Sequence, residues 1–179
     1  SIVSGLSVYQ CRKAFGKELA KESFVQADMV IPVPDSGVPA AIGYAEKSEI
    51  PFETGIIRNH YVGRTFIEPQ QSIRAFSVKL KHNANNILVD GKKVILVDDS
   101  LVRGTTSIKI VRMMRDAGAK EVHMRIAAPP IKYPDYYGID TPVKENLLAA
   151  NHSLNEIKDF LDVDSIAYLS IDGLYRAMG

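Results

Sequence analysis

Lys93–Lys109 reads KVILVDDSLVRGTTSIK. Four consecutive apolar residues, Val94-Ile95-Leu96-Val97, run into two adjacent acids, Asp98 and Asp99. The run is too short for a lone helix and rich in β-branched side chains, so it reads as a strand buried on both faces. A small turn, Ser100–Arg103, follows, and Gly104-Thr105-Thr106-Ser107 then leads into an amphipathic run to Met114. A strand, a Gly/Thr/Ser turn and a helix in that order aim backbone N–H groups and the positive helix end at one point. That is an anion site, and a phosphate suits it. Gly104 is read as the place where backbone must approach the anion without a Cβ in the way, and Thr105, Thr106 and Ser107 as hydroxyl donors. Alone, an Asp-Asp pair at a strand end serves equally well as a helix cap. Beside a phosphate cradle, the two carboxylates suit a ligand that carries hydroxyls as well. The spacing is neither G-x-x-x-x-G-K-[ST] nor G-x-G-x-x-G, which excludes the nucleoside-triphosphate and dinucleotide loops.

Upstream, a second unit has the same order. Ala27–Val33 reads as a strand ended by Pro32 and Pro34, Asp35-Ser36-Gly37 as a tight turn, and Val38–Lys47 as a helix with Pro39 in its first turn. The simplest role for Asp35-Ser36 is turn and N-cap. Because both polar loops leave strand C-ends, they can flank one crevice. Leu6–Lys21 reads as an amphipathic helix with Val8, Cys11, Phe15 and Leu19 on its apolar stripe. Cys11 is then a small buried hydrophobe, and Ser7 an N-cap with no capping box expected.

Pro51–Ile57 is a further strand candidate. From Arg58 to His82 periodicity fails, and the stretch carries five Lys/Arg, two His and one Glu. A segment of that length and charge, with Tyr61, Phe66 and Phe76 in it, reads as a basic lid that closes over an anion, or else as a solvated surface loop. Downstream, helix Ser107–Ala117 stops at Gly118, Glu121–Ala127 is a strand ended by Pro129-Pro130, and 132–141 is a Tyr/Pro/Gly loop. Helices are expected at Asn146–Ala150, Leu154–Leu161 and Ile171–Met178, and a strand at Ser165–Leu169. Ser153 and Glu156 form a capping pair. Strands alternating with helices predict an α/β fold: a doubly wound, mostly parallel sheet with ligands at the strands' carboxyl ends.

The chain has 179 residues, 46% hydrophobic and 24% charged, with net charge +1. Length and composition fit one soluble domain over 1–179. Near-zero charge gives no bulk attraction to nucleic acid or anionic lipid, and no apolar run approaches the ~18 residues of a membrane span. A single cysteine excludes an intrachain disulfide framework, in keeping with a cytoplasmic setting.

VILVDDSLVRGTTS, Val94–Ser107, resembles the phosphoribosyl pyrophosphate signature of type I phosphoribosyltransferases, in the form found in the glutamine phosphoribosylpyrophosphate amidotransferases. The similarity extends to Pro32–Ser36, Arg58–Ile67, Ala127–Pro130 and Tyr137–Asp140, with Tyr61–Ile67 specific to the amidotransferases within that fold. The resemblance implies that Asp98 and Asp99 hold the ribose hydroxyls and take part in a Mg²⁺ site. It implies that Val102, Arg103, Gly104, Thr105 and Thr106 cradle the 5′-phosphate, and that Asp35 and Ser36 bind pyrophosphate, Ser36 also touching the metal. Arg58, Tyr61, Arg64 and Thr65 are implied to lie on the lid near the reacting centre. The implied reaction is displacement of pyrophosphate from ribose C1 by ammonia, giving 5-phosphoribosylamine at the first step of purine synthesis. It implies a homo-oligomer, purine nucleotide inhibitors and a glutaminase domain as partner.

The chain departs from that family in several places. No glutaminase domain is expected within these residues, and neither Ser1 nor Cys11 suits its nucleophile, so ammonia-dependent synthesis is expected. Asp135 stands where some members carry a cysteine, so no iron–sulfur cluster is expected. Arg58 and His60 replace the commoner Lys and Arg, and a neutral His60 weakens local anion attraction. Two other readings remain: a salvage enzyme for a nucleobase, for which no base-binding wall is evident, and a non-catalytic regulatory module, for which no nucleic-acid-binding motif is evident.

Overall fold

The structure is a computed structural model that describes residues 2–3, 6–58, 82–134 and 144–179. Its centre is a four-stranded sheet built from β3 (Met29–Pro32), β6 (Lys93–Asp98), β7 (Glu121–Ile126) and β8 (Ser165–Tyr168), hydrogen-bonded in that order. All three pairings are parallel, and Met29–Pro32 aligns with Val94–Val97 residue by residue. Phe52 adds one parallel bridge to Val30 on the outer edge of β3. Two small antiparallel pairs lie outside this sheet: β1 (Ile2–Val3) with β2 (Leu6–Ser7), and β4 (Ile56–Arg58) with β5 (His82–Ala84).

Both faces of the sheet are covered, which is why its strands are apolar at nearly every position. Met29, Ile31, Val94, Leu96, Val122 and Met124 face α4 (Thr105–Asp116) and α6 (Leu154–Leu161), meeting Ile110, Val111, Met114, Ile157 and Leu161. Val30, Ile95 and Val97 face the other way, onto Leu19 of α1 (Val8–Glu22) and Ala40, Ala41 and Tyr44 of α2 (Val38–Ser48). Leu174 of α7 (Ile171–Met178) joins this second cluster. The doubly wound parallel architecture expected from the alternating pattern is the one observed. Short helices α3 (Asn86–Val89) and α5 (Leu148–Asn151), with a 3₁₀ turn at Lys144–Asn146, complete the described elements.

Several boundaries move for local reasons. Helix α1 begins at Val8 because Ser7 accepts from Gln10 N–H while the Gln10 side chain returns to Ser7 N–H; the capping box that was not expected is present. Helix α4 begins at Thr105, two residues ahead of the expected Ser107, with Gly104 as its N-cap. The expected strand Pro51–Ile57 is split. Its first half makes only the Phe52 bridge, while Ile56–Arg58 turns away to pair with His82–Ala84. That ribbon sets Arg58 opposite His82. Asn146–Ala150 resolves into the 3₁₀ turn and α5, whereas Leu154–Leu161 and its Ser153/Glu156 capping box stand as expected.

Helices α1 and α2 approach closely because of two glycines. A Cβ at Gly16 would sit 1.9 Å from the carbonyl oxygen of Ala40, and one at Gly43 would sit 1.9 Å from that of Lys13. The neighbours are backbone and cannot swing aside, so any side chain must push the helices apart. Gly43→Val is expected to destabilise the chain by about 1–3 kcal/mol, the usual cost of overfilling a packed contact, read as a lower urea midpoint. An unchanged midpoint would show that the helix pair is not closed in this way.

Candidate active site

The two polar loops emerge side by side. Since Pro32 and Val97 are register partners, β3 and β6 end at the same level, and Val33 N–H extends the ladder to Val97 O at 2.9 Å. Gly37 brings the first loop down onto β6: a Cβ there would lie 2.4 Å from Val97 O. Between the loops is a cavity of about 400 Å³. From the first loop it is lined by Val33, Pro34 and Ser36, and from the second by the continuous run 98–107. A cavity at the carboxyl ends of parallel strands is where such folds place ligands.

Of the residues singled out from sequence, Ser36, Asp98, Asp99, Val102, Arg103, Gly104, Thr105 and Thr106 are brought together on this cavity. Asp35 is not on its wall; it is exposed and forms an ion pair with Arg58. Arg58 therefore stands beside the 34–37 loop, at the end of β4. Tyr61, Arg64 and Thr65, together with His60 and Asp135, lie outside the described residues. Ser100, Leu101 and the buried Ser107 also line the cavity. Ser107 was noted in the sequence as a hydroxyl donor, but Leu101 gave no chemical signal. Its contribution is packing, since it is buried and joins the α4-side core.

The 98–107 loop is held at both ends. Asp99 N–H donates to the Asp98 carboxylate at 2.8 Å, and Ser100 Oγ donates to Asp99 at 3.1 Å. Further on, Val102 O accepts from Leu148 N–H at 2.9 Å. Gly104 has φ of 79°, a left-handed conformation that other residues adopt at a cost. A Cβ on it would meet Leu148 at 3.0 Å and Phe160 at 3.3 Å. The glycine is thus required by backbone conformation and by the helices behind the loop. Room for an anion, the reason read from sequence, is not what its Cβ direction shows. Gly104 makes no side-chain cap on α4, so among the described residues no cap hydrogen bond takes up the N–H groups of its first turn. That helix end, with two exposed threonine hydroxyls, is a ready anion cradle.

The two acids differ sharply in environment. Asp98 is 9% exposed, whereas Asp99 is half-buried. Burial, aided by the neighbouring Asp99 charge, pushes the Asp98 carboxyl from 3.8 up to about 8. At neutral pH the ligand-free site therefore carries Asp98 mainly as the acid, able to donate one hydrogen bond. A cation or several donors brought by a ligand would favour its ionised form.

The raised Asp98 value fixes a pH dependence. In the folded chain Asp98 retains a proton that the unfolded chain releases near pH 4, so stability falls as pH rises from about 4 to about 8 and then levels. Asp98→Asn removes that slope. The ligand-free variant is expected to unfold at higher urea than the parent at pH 8, with the two midpoints converging near pH 4. A parent-minus-variant difference that stays constant across this range would refute the buried-acid assignment.

The sequence profile described as "Phosphoribosyl transferase domain" matches residues 7–144. An amidophosphoribosyltransferase of Rhizobium etli is 62% identical over all of this chain, which covers 36% of that protein. Amidophosphoribosyltransferase 1, chloroplastic, of Arabidopsis thaliana is 59% identical over all of this chain, covering 32% of its length. Among solved structures, the glutamine phosphoribosylpyrophosphate amidotransferase from B. subtilis complexed with ADP and GMP superposes with a TM-score of 0.89 at 52% identity. That match covers 98% of this chain and 38% of the other. The chain thus spans about a third of the length of the curated relatives it matches.

Proposed function

The chain belongs to the phosphoribosyl transferase domain family, and on that premise we propose that it transfers the phosphoribosyl group of phosphoribosyl pyrophosphate to ammonia. The products are 5-phosphoribosylamine and pyrophosphate, at the first step of purine synthesis. The observation that carries this reading is the composition of one cavity: two strand-end carboxylates, an uncapped helix N-terminus with two threonines, and the Ser36 loop, all on its wall. These three features match the three parts of the substrate. The high identity to amidophosphoribosyltransferases supports ammonia rather than a nucleobase as acceptor.

In this reading Val102–Thr106 holds the 5′-phosphate, with N–H groups of α4 and the hydroxyls of Thr105 and Thr106 as donors. Asp98 and Asp99 take the ribose hydroxyls. Ser36 and the 34–37 loop receive the pyrophosphate, and Arg58, paired with Asp35, adds positive charge beside that loop. Tyr61, Arg64 and Thr65 are assigned to the lid that excludes water. As the C1–O bond to pyrophosphate breaks, nitrogen bonds to C1 and gives up a proton. The protein's work is positioning, charge stabilisation and dehydration, so no covalent nucleophile is required.

Magnesium suits the donor set, which is oxygen only: two carboxylates and the Ser36 hydroxyl. Among the described residues there is no group of three or more His, Cys, Asp or Glu that would cage a metal. A cation here draws its remaining ligands from phosphate oxygens and water, as Mg²⁺ usually does. When bound it supplies charge neutralisation for the departing pyrophosphate. The Asp98 and Asp99 carboxylates would hold it, with Ser36 at the pyrophosphate side.

The ammonia is proposed to come from a glutaminase domain in the whole protein. Cys11, buried in α1, is not placed to attack glutamine, and Asp135 argues against an iron–sulfur cluster. Purine nucleotides are proposed as regulators, by likeness to the B. subtilis enzyme complexed with ADP and GMP. A homo-oligomer in the cytoplasm is part of the same proposal; no helix among the described residues is long and apolar enough to cross a membrane.

Pyrophosphate release from phosphoribosyl pyrophosphate is expected with Mg²⁺ and ammonia, and not with glutamine in place of ammonia. Asp99→Asn should lower the rate on the order of 10²-fold, comparable to losing one charge-stabilising group at a reacting centre. Binding without any ammonia-dependent release would instead identify a regulatory module, and a wild-type rate in the Asp99 variant would sink the site assignment.

A further inference from the structure

The main cavity has a neighbour. A smaller pocket of about 150 Å³ is lined by Ser36, Asp99, Arg12, Phe15, Ala40 and Leu174, with Ala127 and Ala128 closing one side. Ser36 and Asp99 belong to both pockets, so the two spaces meet where the 34–37 loop faces the strand-end acids. At 150 Å³ the side pocket lies below the ~300–1,000 Å³ of a site that takes a whole small ligand. It has room for part of one.

Its cation comes from a helix outside the signature loops. Arg12 and Phe15 are three residues apart on α1 and share one helix face. The close contact of Gly16 with Ala40 presses α1 against the first turn of α2, four residues beyond Ser36. Helix α1 is therefore fixed relative to the 34–37 loop by backbone contact. The other charges of this helix are engaged elsewhere: Lys13 and Lys17 with Glu46, Glu18 with Lys21 and Arg176, and Glu22 with Arg176. Arg12 is exposed and borders the pocket that Asp99 and Ser36 share.

We propose that Arg12 is a further ligand-binding residue, contributing its guanidinium to the pyrophosphate part of the substrate through the side pocket. This rests on the phosphoribosyl pyrophosphate reading. Arginine suits the task because its planar fork of donors matches phosphoryl oxygens and stays charged at every working pH. Its position separates the substrate's two anionic ends: the 5′-phosphate lies with Thr105 and Thr106, and Arg12 lines only the side beyond Asp99 and Ser36.

Inorganic pyrophosphate with Mg²⁺, and ribose 5-phosphate separately, are titrated into the 179-residue chain and into Arg12→Gln and Arg12→Lys. Arg12→Gln should weaken pyrophosphate roughly tenfold or more, the scale of one charged hydrogen bond, and leave ribose 5-phosphate within about twofold. Arg12→Lys, which keeps the charge and loses the fork, should fall between parent and Arg12→Gln. Unaltered pyrophosphate affinity in Arg12→Gln overturns the proposal, as does equal weakening of both ligands, which marks a structural role. If the parent chain binds neither ligand, the phosphoribosyl pyrophosphate reading fails first and the Arg12 proposal falls with it. Parent binding of both, with no Arg12 effect, removes the Arg12 proposal alone.

Discussion

The site depends on the register between β3 and β6. Parallel pairing of Met29–Pro32 with Val94–Val97 ends both strands at one level, and the two loops that carry polar chemistry leave from there together. A one-residue slip would exchange the faces of every side chain in β3 and displace Ser36 relative to Asp98. Such a slip is strongly opposed because both faces are buried: Met29 and Ile31 have their places among the α4-side residues, Val30 among the α1/α2-side residues. The core thus does more than stabilise. It sets the spacing between the two loops that line the cavity.

The same constraint explains why small residues matter where no chemistry occurs. Gly37 lets the first loop descend onto Val97 O, and Gly16 lets α1 reach the first turn of α2. Each contact is backbone against backbone, with no flexible side chain to absorb an error. Tolerance is lowest on this side of the sheet, where the 34–37 loop must present Ser36 to the cavity and turn Asp35 outward to Arg58. Behind the other loop, Leu101 and Leu148 provide ordinary apolar packing, and Gly104 accommodates it with a left-handed backbone. The two loops are therefore supported by different means, one by close backbone approach and the other by a hydrophobic base.

Much of this was legible in the chain because its signals are local. The Val94–Val97 run, the proline-ended strand before Asp35, and the Ser153/Glu156 capping pair each state their structure within a few residues. What was not legible depends on distant partners. Pro51–Ile57 looks like one strand, yet Val30 claims Phe52 and the 82–84 segment claims Ile56–Arg58. The start of α4 was placed late because Thr105 and Thr106 read as turn residues; Gly104 at φ 79° allows the helix to begin there. The cap of α1 is a different case: Ser7 and Gln10 stand three apart as a local Ser-x-x-Gln capping pattern, so this signal was present in the sequence and was passed over. Eight of the residues singled out from sequence line one cavity, whereas Asp35 is turned from its wall to an ion pair. Arg12 carries no motif and is noticed only once α1 is seen against α2.

The unequal environments of Asp98 and Asp99 link the fold to the chemistry. Two adjacent ionised carboxylates at a strand end repel, and burial makes the inner one the costlier charge. The chain retains both, with the inner carboxyl pushed up to about 8. A core-stabilising design would replace Asp98 with an amide, since nothing in the described structure supplies it with a cationic partner within 4 Å. Its persistence beside an uncapped helix end is intelligible if the site is organised for a ligand that brings positive charge and hydroxyl donors with its phosphates. Binding would then favour the ionised acid and offset the repulsion that ionisation beside Asp99 brings, so that ligand and folded chain stabilise one another. Selectivity in such an arrangement comes from electrostatics: a partner that leaves the inner acid buried and uncompensated is disfavoured relative to one that offsets its charge.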